Sequence, residues 1–586
     1  MLDLRIYRAA FVPILLVLAV VAFSLQTRPG PMTSDVAPDA FDAARAFRLL
    51  GDLSQRYPDR APGSQGDLAL AGAVQRTFQA AGFEVSTTDT TAETIDGERT
   101  LRTVVAARPG SVDRALVVLA HRDAATAPAK AQLSATAALM EVARDLGGAT
   151  KRRALVLVST SGGSGGNAGA DAWAKAVRGP VDAVLVLGDM ASVAQRRPQV
   201  VGWSNTSAVA PPRLLRTVEQ AVGEEANIGS SGSTRSTMQA LRLAFPFTVS
   251  EQGVVNAHGL PAVLLSVTGE LCPAGDAPVS QERMEGMGRA TLRALDALDG
   301  GPDLLPTAAH TVQVRNRLLP LWAIRLLGAA ALLPPLLAAI DGLARVRRRR
   351  EPILPWLAWI LAIGSPLLAS GLVLMLLRVV GLVTAPPAPV FPGVIGVSIG
   401  VLVVAAAVVV LGYLMVWPLL RRLAPSAGAG GAGIALALLT QALAWIVWIG
   451  NPYAALFLVP AAHLWLLAAA PEMRGGRGWR LAFVVLPAVP FSLAALAYAV
   501  ALDANPVQLG WTGLLAIAGG HVSPLSLVVW SFLIGCGLSA LVVALSTEPA
   551  RPDRKGFVGP GQVRSRGPLT YAGPGSLGGT ESARRR

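Results

Sequence analysis

Gly162-Gly163-Ser164-Gly165-Gly166 reads G-x-S-x-G between a strand-like and a helix-like run, the pattern of a sharp turn that presents a serine hydroxyl for attack on a carbonyl. Asp189 and His258 follow it in the chain order of a hydrolase triad. A serine is a poor nucleophile without an adjacent base, so the motif has chemical meaning only if His258 reaches Ser164. With 60 glycines in 586 residues, the competing reading is a flexible turn, with His258 an ordinary polar residue on a loop. The two cysteines, Cys272 and Cys536, form no disulfide framework, and the second lies in a hydrophobic run. Ionisable residues in apolar runs are functional candidates because burying charge in lipid is costly. They are Arg325, Asp341, Arg378 and His463. The first three sit near the ends of their runs, where side chains reach headgroups. His463 stands alone and reads as a hydrogen-bonded packing residue rather than a proton relay. No repeated pair of broken helices marks a secondary transporter, which leaves transport a secondary alternative.

The elements that must position these residues fall into two classes. Hydrophobic residues make up 52% of the chain and charged residues 15%, so part of it must lie in lipid. The net charge of +14 comes from arginines clustered beside hydrophobic runs. That is the signature of loops held in the cytoplasm, not of a nucleic-acid partner. Ala9 to Leu25 follows Arg5 and Arg8 and is long enough for a membrane anchor. Gln26-Thr27-Arg28-Pro29 offers no small-x-small cleavage site, so an uncleaved anchor is expected, with its N-terminus in the cytoplasm. Further spans are expected at 318–344, 354–380, 393–420, 432–450, 452–471, 481–502 and 523–546. Arg345 with Arg347 to Arg350, then Arg421 and Arg422, then Arg474, Arg477 and Arg480 mark one side, and the loops Gly381 to Pro392 and Asp503 to Gly510 carry no Arg or Lys. Trp511 to His521 is too short to span and reads as an interfacial or re-entrant piece. The expected organisation is a cytoplasmic start and anchor (1–27), an extracytoplasmic domain (28–317), a seven-helix membrane domain (318–546) and a disordered basic cytoplasmic tail (547–586).

Within 28–317, apolar β-rich runs at Thr103 to Ala107, Ala115 to Ala120, Ala154 to Ser159, Ala183 to Leu187 and Ala262 to Val267 alternate with helical spacing at Leu68 to Ala81, Leu133 to Leu146 and Ala168 to Val177. Near-continuous apolar strands alternating with helices predict an α/β fold with a sheet covered on both faces. Ligands of such sheets bind beyond the carboxyl ends of the strands.

At those ends five segments appear in order: Arg60-Ala61-Pro62-Gly63-Ser64, Val117 through His121-Arg122-Asp123, Ala137 to Arg144, Leu187-Gly188-Asp189-Met190, and Gly259-Leu260-Pro261-Ala262-Val263. Together they resemble the di-zinc aminopeptidase family of bacterial leucyl aminopeptidases and the non-catalytic transferrin receptors, matching its R-x-P-G-S, A-H-x-D, L-D-M and G-I-P-A-V motifs. An external domain between an anchor and a multi-helix part is also similar to the endoplasmic reticulum metallopeptidases. The resemblance implies an aminopeptidase-like mixed sheet for the external domain, beside an all-α polytopic bundle. It implies that His121 and Asp189 occupy the positions of ligands to one zinc ion, with Asp123 orienting the imidazole. The alternative for His121 and Asp189 is a hydrogen-bonded polar pair at a strand end.

The family's remaining machinery is missing. Its bridging Asp falls at Ala131, its general-base Glu at Gly163, its next ligand at Ser164 and its distal His at Gln252, while Lys130 brings positive charge beside the bridge position. No Glu occurs between Glu141 and Glu219, so a shift of register restores nothing. A catalytic zinc site keeps three protein ligands, and two remain. The expectation is a membrane pseudoenzyme without a cofactor, a binding or scaffold module whose external domain holds a peptide, glycan or envelope protein in the old substrate cleft. The alternative is a zinc-dependent aminopeptidase in which Glu251 or His258 replaces a lost ligand.

Overall fold

The computed structural model describes residues 4–34, 40–127, 129–148, 151–197, 199–226, 236–303, 310–314, 316–380, 387–390, 392, 395–423, 429–470 and 476–546. The tail expected to be disordered, 547–586, lies outside the described residues.

A seven-stranded sheet forms the α/β part, with strands in the spatial order Glu84–Thr94, Gly97–Arg108, Arg153–Thr160, Val112–His121, Val181–Leu187, Ala262–Leu265 and Val200–Val201. The run from Arg153–Thr160 to Ala262–Leu265 is parallel, and the hairpin on one side and Val200–Val201 on the other are antiparallel, so the sheet is mixed. Alternation within a strand splits the core in two. Leu116, Val118 and Ala120 pack among residues of helices Ala43–Arg56, Gln65–Ala80, Ser134–Leu146 and Gln281–Gly300. Val117 and Leu119 turn the other way, onto Trp173, Val254 and Val255 from Ala168–Ala176 and Glu251–Ala257. All five apolar runs are strands of this sheet. The outer strand Glu84–Thr94 carries no such run because it is an edge strand, and most of it is exposed.

Among the described residues seven helices are long and apolar enough to cross a membrane, making this a multi-pass membrane protein: the N-terminal Arg5–Phe23, then Leu321–Arg348, Leu354–Val379, Ile399–Arg422, Gly431–Gly450, Arg477–Ala501 and Pro524–Ser546. Two differences from the sequence reading have local causes. The helix expected over 393–420 begins at Ile399, where the Ser398 hydroxyl accepts the Val401 N–H. The helix expected over 452–471 is Pro452–Ala468, whose 17 residues rise about 25 Å. Asn451 opens it by accepting the N–H groups of Tyr453 and Ala454. Within 511–521 the chain is helical from Pro506 to Ala518, a 13-residue element too short to span.

His463 is a structural tie. Its Nε2 lies 2.8 Å from the Ala331 carbonyl, which can only accept, so Nδ1 accepts from the Tyr7 hydroxyl at 2.6 Å. The N-terminal helix is thereby joined to helices Leu321–Arg348 and Pro452–Ala468. A small sheet pairs Gln26–Thr27 with Arg317–Leu319 and that strand with Val312–Val314. It brings the exit of the first membrane helix beside the start of the second.

Candidate functional site

Parallel strands place their carboxyl ends on one edge of the sheet, and each here delivers a polar residue. His121 ends its strand in register with Thr160, and Asp189 and Ser266 follow the next two strands. Below them lies a buried polar floor. Gly63, in the left-handed region at φ 71°, donates to Asp67 Oδ2 at 3.0 Å, and the Ser64 hydroxyl caps helix Gln65–Ala80. Asp67 pairs with fully buried Arg122, whose guanidinium Nη1 donates to the Ser159 and Thr160 carbonyls at 3.1 and 3.0 Å. Arg60 Nε donates to the Arg122 carbonyl, and burial pulls its guanidinium pKa down to about 10. The R-x-P-G-S segment thus holds the strand that presents His121.

His121 Nδ1 lies 3.2 Å from Glu251 Oε2, and Glu251 Oε1 accepts from the Thr160 hydroxyl at 2.6 Å. Burial alone would lower the imidazole pKa. Hydrogen bonds with the Cys272 side chain and Glu251, together with the charges of Glu251 and Asp123, outweigh it and raise the pKa well above its ordinary value. Gly163 is what admits the ring, since a Cβ there would lie 2.4 Å from His121 Cγ. The imidazole fills the space that a side chain at position 163 would need.

Asp123 does not orient the imidazole. It accepts from the N–H groups of Gly163 and Ser164 at 3.0 and 2.9 Å and from the Ser164 hydroxyl at 2.5 Å, so it holds the glycine loop. Gly166 of that loop lies against Pro387, where a Cβ would stand 2.3 Å from the proline Cβ. No triad forms at Ser164, because His258 is bonded to Asp171 at 2.8 Å on the surface. Asp189 Oδ1 accepts from the Ala191 and Ser192 N–H groups at 3.1 and 3.0 Å, while its buried Oδ2 has no hydrogen-bond partner among the described residues. Burial raises its pKa.

Lys130 does not charge the site either. Its ammonium sits over the Phe47 ring, 5.4 Å from the centroid. Ala131 is buried in the short 3-10 turn Lys130–Leu133. Gln252 donates to Thr248 Oγ1 at 3.2 Å, and its carbonyl oxygen has no hydrogen-bond partner among the described residues.

His121, Gly163, Asp189, Glu251, Glu270 and Cys272 share one cavity of about 30 Å³, enough for one or two waters. Sequence reading did not single out Glu270 or Cys272 for this cavity, nor Thr160 as the partner of Glu251. Glu270 is paired with buried Arg242, whose guanidinium lies 4.7 Å from the Tyr498 ring centroid on membrane helix Val489–Ala501. A pair of zinc ions does not fit these residues. Among the described residues no three His, Cys, Asp or Glu side chains converge as a metal site, and the Nδ1 of His121 is engaged by Glu251.

No protein-family model and no curated protein matches the sequence. Similar solved structures include glutaminyl cyclase from Porphyromonas gingivalis, at 17% identity over 44% of this chain and 99% of that one, with TM-score 0.34. Glutaminyl cyclase from Bacteroides thetaiotaomicron is 14% identical over 45% of this chain and 99% of its own, with TM-score 0.37. A zinc aminopeptidase from Bacillus subtilis is 10% identical over 44% of this chain and 94% of its own, with TM-score 0.36.

Proposed function

We propose that the α/β domain keeps the scaffold of a di-zinc aminopeptidase without its chemistry and serves as a binding or scaffold module of the cell envelope. The observation that carries this reading is the position of the His121 imidazole, which lies against Gly163 and is hydrogen-bonded to Glu251. A network of protein groups stands where two cations and a carboxylate base would be needed. The glutamates that face the cavity are engaged, Glu251 by His121 and Thr160 and Glu270 by Arg242, and a general base alone is a large part of the rate. The cavity is also too small for a peptide, so the partner, a peptide or an envelope protein, is held on the outer surface of the domain.

The proposed topology counts the shorter helix Pro452–Ala468 as an eighth crossing and so has both termini in the cytoplasm and the α/β domain outside. Three loops without Lys or Arg support it by touching that domain: Pro387 on Gly166, Asn451 on the Leu243 and Ala244 carbonyls, and Asp503 in an ion pair with Arg196.

A second reading, a zinc-dependent aminopeptidase with a rearranged ligand set, draws on Glu251 lying beside His121. His258 offers it nothing, being engaged by Asp171. Aminoacyl-nitroanilide hydrolysis by the purified full chain with added zinc separates the two. The proposal expects none above background. Turnover that is abolished by a chelator and by His121→Ala establishes the second reading instead.

A further inference from the structure

A larger space lies between the α/β domain and the bundle. It is a cleft of about 770 Å³, within the size range of small-molecule sites. Its walls come from the segment Ala244 to Phe247 and from the neighbouring ends of four membrane-embedded helices, with Pro506–Ala518 along one side. Polarity changes with depth. Asn205, His521, Ser523 and Ser526 line the end next to the α/β domain, at or outside the helix termini, beside the apolar segment Ala244 to Phe247, whose Phe245 ring reaches in to Trp530. Ile446, Val447, Ala495, Val529 and Trp530 line it one to two turns further in, about 5 to 10 Å deeper. The order matches that of a bilayer, with hydrogen-bonding groups at the level of headgroups and apolar groups at the level of chains.

The wall contains no Lys, Arg, Asp or Glu. Arg378, which donates to the Gly519 carbonyl, is not part of it. An anionic headgroup would lose its hydration here without a counter-charge, whereas hydroxyls would find donors and acceptors in Asn205, Ser523 and Ser526. We propose that this cleft binds an uncharged single-chain amphiphile, of the chemical class of a monoacylglycerol, with its hydroxyls toward Ser523 and Ser526 and its chain among Ile446, Ala495 and Val529. Gly513 supplies the opening: it lines the cleft, and a Cβ built on it meets nothing within 4 Å.

The test uses the full chain in nanodiscs and a monoacylglycerol with a diazirine in its chain, with crosslinked peptides mapped by mass spectrometry. Saturable labelling of the peptides carrying Tyr498 and Trp530 is expected, competed by unmodified monoacylglycerol and not by the phosphatidylglycerol of equal chain length. Gly513→Trp fills the cleft and is expected to lower labelling about tenfold. Leu414→Trp, on the outward face of helix Ile399–Leu423, should leave it unchanged. Competition on the wild-type chain decides the matter even if Gly513→Trp does not fold. Labelling that fails to saturate, that is as strong along Ile399–Leu423, or that phosphatidylglycerol competes equally overturns the proposal.

Discussion

A single missing side chain governs the chemistry of the cleft. His121 can lie beside Glu251 because position 163 is glycine, so adding back one carbon should be costly. Gly163→Ala is expected to destabilise the domain by about 1–3 kcal/mol, seen as a lower thermal midpoint of the detergent-solubilised chain. Gly163→Glu should likewise displace the imidazole and restore no hydrolysis. The His121–Glu251 contact also predicts a pH dependence. The imidazole pKa is raised in the folded state, so the stabilisation is fully present below about pH 6.5, its ordinary value, and is lost as pH rises through the folded value. Glu251→Gln should flatten the unfolding midpoint against pH above 6.5; an unchanged profile would mean that the pair contributes nothing. His121 and Asp189 were legible because each ends an apolar strand within a recognisable segment. Asp123 and Lys130 were misplaced by the same reasoning. A motif fixes where a residue leaves its strand, but neighbours fix where its side chain turns, and Phe47 and the glycine loop lie far away in sequence.

At the level of elements, the parallel strands are held in place from beneath by Asp67 and Arg122, both fully buried. Removing one partner of a buried ion pair leaves an uncompensated charge, and Asp67→Ala should therefore cost about 3–5 kcal/mol of stability. Limited proteolysis of the variant would read the loss as faster cleavage within the α/β part; cleavage at the wild-type rate would refute it. Strands buried on both faces announced themselves as unbroken apolar runs. The edge strand Glu84–Thr94 did not, since its mostly exposed residues are free to be polar. Helix Glu251–Ala257, which aims Glu251 at His121, is only 7 residues long and too short to show a helical period.

For the whole molecule, hydropathy revealed the membrane helices, because lipid imposes one requirement on every residue of a span. Packing between the α/β part and the bundle followed no such rule and was not legible. Buried Arg242 joins the two by pairing with Glu270 at the cavity and stacking on Tyr498 of the bundle. The proposed topology predicts that a reporter fused after Ser546 is active only in the cytoplasm; activity outside would reverse the orientation.

The central claim is that this cleft has replaced a pair of cations with hydrogen bonds among its own side chains. Calorimetric titration of the metal-stripped full chain with zinc measures this directly. The account predicts no saturable binding tighter than about 10 µM. Nanomolar uptake of two ions per chain, lost in His121→Ala, would contradict it.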